Sequence, residues 1–219
     1  MKERPIIFTG DSVCAILEGT KTQTRRPVRF RKPFEDPASW GYCAPHPVRG
    51  WVFVDRAPSP AMWAAMCSVR EGLPCPYGEP GDRLWVKETW AYDPDWEGDG
   101  VVHYRATHRA DATVQGGHWK SARYMPRWAA RITLTITGLR VERLREITEA
   151  DLAAEGFELP TAHDVEDAGA AQRGAFMGAW ERINSRRAPW STNPWVWVVQ
   201  FALAGVRHLG RPACQRCGT

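Results

Sequence analysis

Residues 18–27 read EGTKTQTRRP and gather Gly19, Lys21, Thr24, Arg25 and Arg26 into eight positions. An amine, a hydroxyl and two guanidiniums so close together suit acyl or phosphoryl chemistry. A lysine with an ordinary pKa near ~10.4 is a poor base at neutral pH. Partial burial, or the like charge of Arg25 or Arg26, makes its neutral form accessible. Such an amine would activate the Thr24 hydroxyl or a water, and Arg26 would meet a developing oxyanion or a phosphate. An ordinary basic loop after a helix accounts for the same composition. Positions 21 and 24 of a flat strand face opposite sides, so they converge only where the chain turns after Gly19.

Proton transfer also needs a carboxylate. Glu155 is one candidate, in the last turn of a short helix just before Gly156. A surface acid is the usual explanation there, yet the helix dipole disfavours an acid at that end. Glu88, a candidate for substrate binding, lies in WVKETW between Trp85 and Trp90. Strand alternation puts Glu88 on the face of Leu84 and Val86, where an acid needs a partner or a pocket mouth. Twelve tryptophans serve packing first, and one or two are expected to line a pocket and stack on a base. Trp85, Glu88, Trp90, Arg25 and Arg26 are therefore candidate substrate-binding residues.

Metal and cofactor signals are thin. The C-x-x-C of Cys214 and Cys217, with Cys43, His46, Cys67 and Cys75, offers enough zinc ligands, but one C-x-x-C is not the paired zinc pattern. Cys214 and Cys217 remain the metal candidates, and no metal is assigned. With neither a P-loop nor a dinucleotide fingerprint, no cofactor is expected.

The elements that must position these residues read as follows. PIIF (5–8) suits a strand; a helix follows, capped by Asp11 or Ser12, with Val13, Ile16 and Leu17 inward and Gly19 ending it. WVFVD (51–55), GDRLWVKETW (81–90) and VVHYRA (101–106) read as strands, PAMWAAMC (60–67) as a short helix. In the second of those strands Leu84 and Val86 face the core, with Arg83, Trp85 and Lys87 opposite. ARITLTITGLRVERL (130–144) reads as a strand pair alternating up to Gly138. ITEADLAAEGFE (147–158) predicts a short helix capped by Thr148 and ended by Gly156. A second helix over about 170–184 carries Phe176, Trp180 and Ile183 at helical spacing, and NPWVWVVQFALA (193–204) reads as a buried closing strand.

The chain has 219 residues, 43% hydrophobic and 25% charged, with a net charge of +4. Such values fit one globular domain with a substantial core and exclude global disorder. The mild positive excess permits an anionic partner. Without a signal-like apolar stretch at MKERPIIFTGD or a run near the ~20 apolar residues of a membrane span, a cytoplasmic protein with no membrane partner is expected. Strands outnumber helices, so the expected fold is α+β, a small mixed β-barrel with flanking helices and long loop insertions.

Several segments together resemble a known family. GTKTQTRR resembles the G-x-K-x-x-T-x-R signature of the ASCH domain, a relative of the PUA superfamily of small barrels. GDRLWVKETW resembles its G-D-x-L strand, ITEADLAAEGF its acid-bearing helix and PWVWVVQF its closing strand. PYGEPGDRLWVKETW and MPRWAARITL are similar to longer ASCH-type proteins of phages and prophages. The resemblance implies a PUA-like domain over 1–205, with insertions at about 28–80 and 91–127 and a basic tail at 206–219. It also implies a cleft for RNA or a nucleoside. Some small members hydrolyse N4-acetylcytidine with a lysine, a threonine and a glutamate, which by motif position fall on Lys21, Thr24 and Glu155, the signature arginine on Arg26. The chain is much longer than those members, and its insertions leave the substrate open.

The leading expectation is thus an amidohydrolase of an acylated nucleoside or base. Lys21 would be the base, Thr24 the nucleophile or water-positioning hydroxyl, and Glu155 the proton shuttle. The alternative is a non-catalytic RNA- or DNA-binding module for a modified or flipped base, motivated by Arg123, Arg127, Arg131 and Arg140 and the tryptophans. A ribonuclease ranks lower, for want of a metal site or a histidine pair.

Overall fold

A computed structural model of the protein describes residues 1–29, 41–46, 50–54, 73–93, 101–108, 118–158 and 168–207. In chain order its elements are β1 (Glu3–Ile7), α1 (Gly10–Glu18), β2 (Gln23–Pro27), β3 (Gly41–His46), β4 (Gly50–Val54), β5 (Arg83–Lys87), β6 (Trp90–Asp93), β7 (Val101–Tyr104), β8 (Ile132–Arg143), α2 (Glu149–Ala154), α3 (Ala168–Asn184) and β9 (Trp195–Val206). Two compact units divide the chain. The first takes Met1–Thr22, Pro80–Thr137 and Phe201–Thr219, the second Gln23–Glu79 and Gly138–Gln200.

Five strands hydrogen-bond in the order β1-β5-β8-β9-β2. β1 runs parallel to β5, with Ile6 beside Val86. β5 is antiparallel to β8 and β2 to β9. The sheet is therefore mixed, as expected for an α+β fold. These pairings do not show the closed barrel read from the sequence. Two hairpins, β3–β4 and β6–β7, stand as separate two-stranded sheets.

In the first unit, β5 alternates as predicted, with Leu84 and Val86 buried and Arg83, Trp85 and Lys87 partly exposed. α1 starts earlier than its composition implied. Thr9, not Asp11 or Ser12, is the N-cap, because its side-chain oxygen accepts the Ser12 N–H left over in the first turn. Gly19 ends the helix at φ +81°, the left-handed turn its position called for. A cluster of Trp90, Val102, Tyr104, Met125, Ala129 and Ala130 forms a local core.

The expected strand pair over 130–144 is a single strand, β8, that passes straight through Gly138, the point where the second unit takes over from the first. That glycine makes room rather than a turn, since a Cβ there would meet the Gln200 Oε1 at 2.2 Å. α2 has the predicted cap: the Thr148 side chain accepts the Asp151 N–H, and the Asp151 carboxylate accepts the Thr148 N–H. Gly156 closes it at φ +85°. α3 buries Gln172, Phe176 and Trp180, a strict four-residue spacing that leaves Ile183 outside at 62% exposure. Phe176 and Trp180 pack with Leu144, Ile147, Leu152, Ala188, Val196 and Val198. The helix read over 60–67 lies outside the described residues. No helix among the described residues is long and apolar enough to cross a membrane.

Candidate functional site

β2 carries Gln23, Thr24, Arg25 and Arg26 beside the last strand, with Thr24 opposite Val199 and Arg25 opposite Val198. Val198 and Val199 are fully buried, and Arg25 and Thr24 beside them share that burial. Gln23, Thr24 and Arg25 are all buried. α2 delivers Asp151 from its first turn and Glu155 as its C-cap residue. The Glu155 N–H donates to the Asp151 carbonyl at 2.9 Å, and the Phe157 N–H to the Leu152 carbonyl at 3.0 Å. The helix end is thereby closed and Glu155 is fixed in place.

A buried charge needs partners, and here they converge on one guanidinium. Arg25 donates from Nε to Glu142 Oε1 at 3.0 Å and from Nη1 to Glu155 Oε1 at 3.3 Å. Its Nη2 meets Glu142 Oε1 at 2.5 Å and Asp151 Oδ2 at 3.0 Å. The Arg25 side chain has no solvent exposure and that of Glu155 only 4%. Arg140 closes the array from β8, donating to Glu142 Oε2 at 2.8 Å and Asp151 Oδ1 at 2.6 Å. Gln23 Nε2 donates to Asp151 as well, to its carbonyl and to Oδ1, each at 3.0 Å.

The charges of this array set its proton affinities. Burial alone would raise the Asp151 carboxyl, but hydrogen bonds from Gln23 and Thr148 and the charge of Arg25 outweigh it and hold it well below the usual range. Arg140 is likewise subject to desolvation, yet Glu142 and Asp151 lift its guanidinium above the ordinary value. Burial draws the Arg26 guanidinium downward, opposed by Tyr77 and Glu155. The electrostatic reach of Glu155 thus extends to Arg26.

The first unit holds the other candidates. Lys21 is buried, and its N–H donates to the Ala15 carbonyl at 3.0 Å, just past the Gly19 turn. Glu88 is 1% exposed and has the partner that its place on the core face demanded. Arg131 grips it with two bonds, Nε to Oε1 and Nη2 to Oε2, both 2.9 Å. Arg131 also lies over the Tyr104 ring, 4.0 Å from its centroid, and donates to Thr107 Oγ1 at 3.0 Å. The Tyr104 hydroxyl donates to the Ala129 carbonyl at 2.8 Å. Burial pushes that phenol up to about 12, with Glu88 adding to the rise and Arg131 and Arg207 opposing it. Trp85 is half-buried beneath Lys87 and Arg127, and Trp90 is a core residue of the first unit.

Of the sequence candidates, then, Thr24, Arg25, Arg26 and Glu155 lie in the second unit, and Lys21, Trp85, Glu88 and Trp90 in the first. Arg25, expected to meet substrate, has its guanidinium taken up by carboxylates. Glu142 and Asp151 are not among the sequence candidates, and Arg140, expected to meet nucleic acid, instead binds these two carboxylates. Positions 140 and 142 share one strand face, which was a usable signal. Cys214 and Cys217, with Cys43, His46 and Cys67, carry no described side chains. Among the described residues no cluster of three or more His, Cys, Asp or Glu is arranged to hold a metal.

No family model matches the chain, and no curated protein does. Two solved structures are similar over most of its length. One is protein EF3133 from Enterococcus faecalis, of the family model DUF984, at 9% identity and TM-score 0.40, covering 97% of this chain and 86% of that one. The other is an ASCH domain from Lactobacillus crispatus, at 11% identity and TM-score 0.37, covering 92% and 79%. Likeness at this level assigns neither a family nor an activity.

Proposed function

We propose that the protein is an ASCH-type amidohydrolase that removes the acyl group from an acylated nucleoside or base, of the N4-acetylcytidine kind. The supporting observation is the Glu155 carboxylate, nearly excluded from water and fixed by Arg25 in the unit that also carries Thr24 and Arg26. A carboxylate withdrawn from solvent on a capped helix end, with a guanidinium within its field, has the fixed geometry that proton transfer requires. The four motif segments read from the sequence supply the family part of the reading.

In the proposed reaction, Lys21 takes the proton from the Thr24 hydroxyl or from a water that Thr24 orients. The oxygen so freed adds to the acyl carbonyl, and Arg26 balances the negative charge that develops on the carbonyl oxygen. Glu155 carries the proton taken up by Lys21 to the exocyclic nitrogen as the C–N bond breaks. Where Thr24 is the nucleophile, a water activated by Lys21 then cleaves the acyl–threonine ester and the hydroxyl is restored. In either case one water is consumed, and the amine, the carboxylate and one proton are released. Arg25 acts as a positioning residue, holding Glu155 without touching substrate.

The test is purified full-length protein with N4-acetylcytidine, followed by chromatographic release of cytidine. Glu155→Gln and Lys21→Ala are expected to slow release by about 100-fold or more, the range for losing a general acid or base. A wild-type protein that releases no cytidine, or a rate indifferent to Glu155→Gln in a protein with unchanged circular dichroism, would sink the proposal.

A further inference from the structure

Two 3-10 turns of the first unit, Ala122–Tyr124 and Arg127–Ala129, are pinned from beneath. Ala122, Met125 and Ala129 are buried, and the latter two pack into the cluster of Trp90, Val102 and Tyr104. Ser121 caps the first turn by accepting the Arg123 N–H. On this anchored backbone Tyr124 is 73% and Trp128 54% exposed. Two large aromatics on one fixed frame thus keep much of their surface in water, where it is open to a ligand. The Trp128 ring is itself oriented, edge-on to Trp90 at 5.9 Å and to Tyr92 at 5.6 Å.

Cations lie over the neighbouring indoles of Trp85 and Trp90. Lys87 and Arg127 lie over Trp85, at 5.5 and 5.8 Å from its centroid. Lys120 lies over Trp90 at 5.1 Å. The Lys87 ammonium donates to the Arg123 carbonyl, tying β5 to the first turn, and Arg123 itself is exposed. Among the described ion pairs Glu3 alone offsets these four cations, through Arg127 at 3.0 Å. Arg131 and Arg140, the other two arginines that first prompted a nucleic-acid reading, are engaged elsewhere by Glu88, Glu142 and Asp151.

We infer that this face of the first unit binds single-stranded nucleic acid, with bases stacking on Tyr124 and Trp128 and phosphates met by Lys87, Lys120, Arg123 and Arg127. Alternation of ring and charge matches the alternation of base and phosphate along an unpaired strand. Paired bases have no free face to offer these rings, so duplex is the poorer ligand. None of its six residues takes part in the proposed hydrolysis, so the inference stands whether or not that proposal does.

The test uses the full chain and fluorescein-labelled dT and U oligomers of about 12 nucleotides, a length within the footprint of such surfaces. Anisotropy is read across about 50 to 200 mM salt. Binding of either oligomer that weakens with salt is expected, and the tighter of the two names the polymer. Trp128→Ala should weaken it about tenfold or more, from the loss of one stacked base, while Trp128→Phe keeps most of the affinity. Lys120→Ala and Arg123→Ala should each flatten the log–log salt slope by about 0.7. Absence of binding, equal binding of the matching duplex, or an affinity indifferent to Trp128→Ala and to the cation variants overturns the inference. So does Trp128-dependent binding seen only with phosphatidylserine vesicles, or only as self-association in sedimentation.

Discussion

Replacing Arg25 with methionine removes a guanidinium that touches Glu142, Asp151 and Glu155 together. Breaking a buried ion pair from one side costs about 3–5 kcal/mol, because the abandoned charge stays buried. The lower end of that range applies here. Glu142 and Asp151 keep Arg140, whereas Glu155, the most buried of the three, loses a direct contact. For a chain of this length each kcal/mol moves Tm by about 2–4 °C, so a fall of about 6–12 °C is expected in scanning calorimetry at pH 7. Arg25→Lys keeps the charge but not the fork that reaches three carboxylates, and should fall in between. Adding Glu155→Gln to Arg25→Met should recover part of the loss. Acid narrows the gap. The Asp151 carboxyl is held below its ordinary value, so its contribution is present above about pH 4 and is lost as pH drops further. Arg25 supplies part of that depression, and the two proteins should approach each other below about pH 4. A fall under about 2 °C at pH 7, or one that Glu155→Gln does not relieve, refutes the account of Arg25 as the keystone of the array.

Two further outcomes are expected. Gly138→Ala should cost about 1 kcal/mol in urea unfolding, since its methyl would press on the mobile amide end of Gln200; in a Gln200→Ala background that cost should vanish. Tyr104, with its phenol pushed up to about 12, should make the protein less stable as pH rises from about 10 to 12, because the native state then binds the extra proton. Tyr104→Phe should remove that alkaline slope in ultraviolet-monitored denaturation, at a cost of about 1 kcal/mol for the bond to Ala129; an unchanged slope would rule out Tyr104 as its source.

Local signals carried far along this chain. Alternation over 83–87, the Gly19 and Gly156 turns and the Thr148 cap depend on backbone stereochemistry and near neighbours, which sequence spacing encodes directly. Where a distant partner set the outcome, the reading slipped. Gly138 resembled a turn because its tight approach to Gln200, 62 positions away, leaves no local mark. Ile183 belonged to an apolar pattern, but the buried line on α3 runs through Gln172, Phe176 and Trp180. Thr9 took the cap from Asp11 and Ser12 because the helix begins at Gly10.

The site divides along the same line. Sequence alone singled out Lys21, Thr24, Arg25, Arg26, Glu88 and Glu155, since unusual side-chain chemistry at motif spacing is visible without a fold. It also required a partner for Glu88, because an acid on a strand's core face is costly unless it is paired. Which partner, and what each arginine does, only the tertiary structure decided. Arg131 reaches Glu88 from 43 residues away, and Glu142 and Glu155 reach Arg25 from 117 and 130. Charges at such separations meet only after strands are paired and helix ends are capped, and burial then fixes which carboxylates each guanidinium engages.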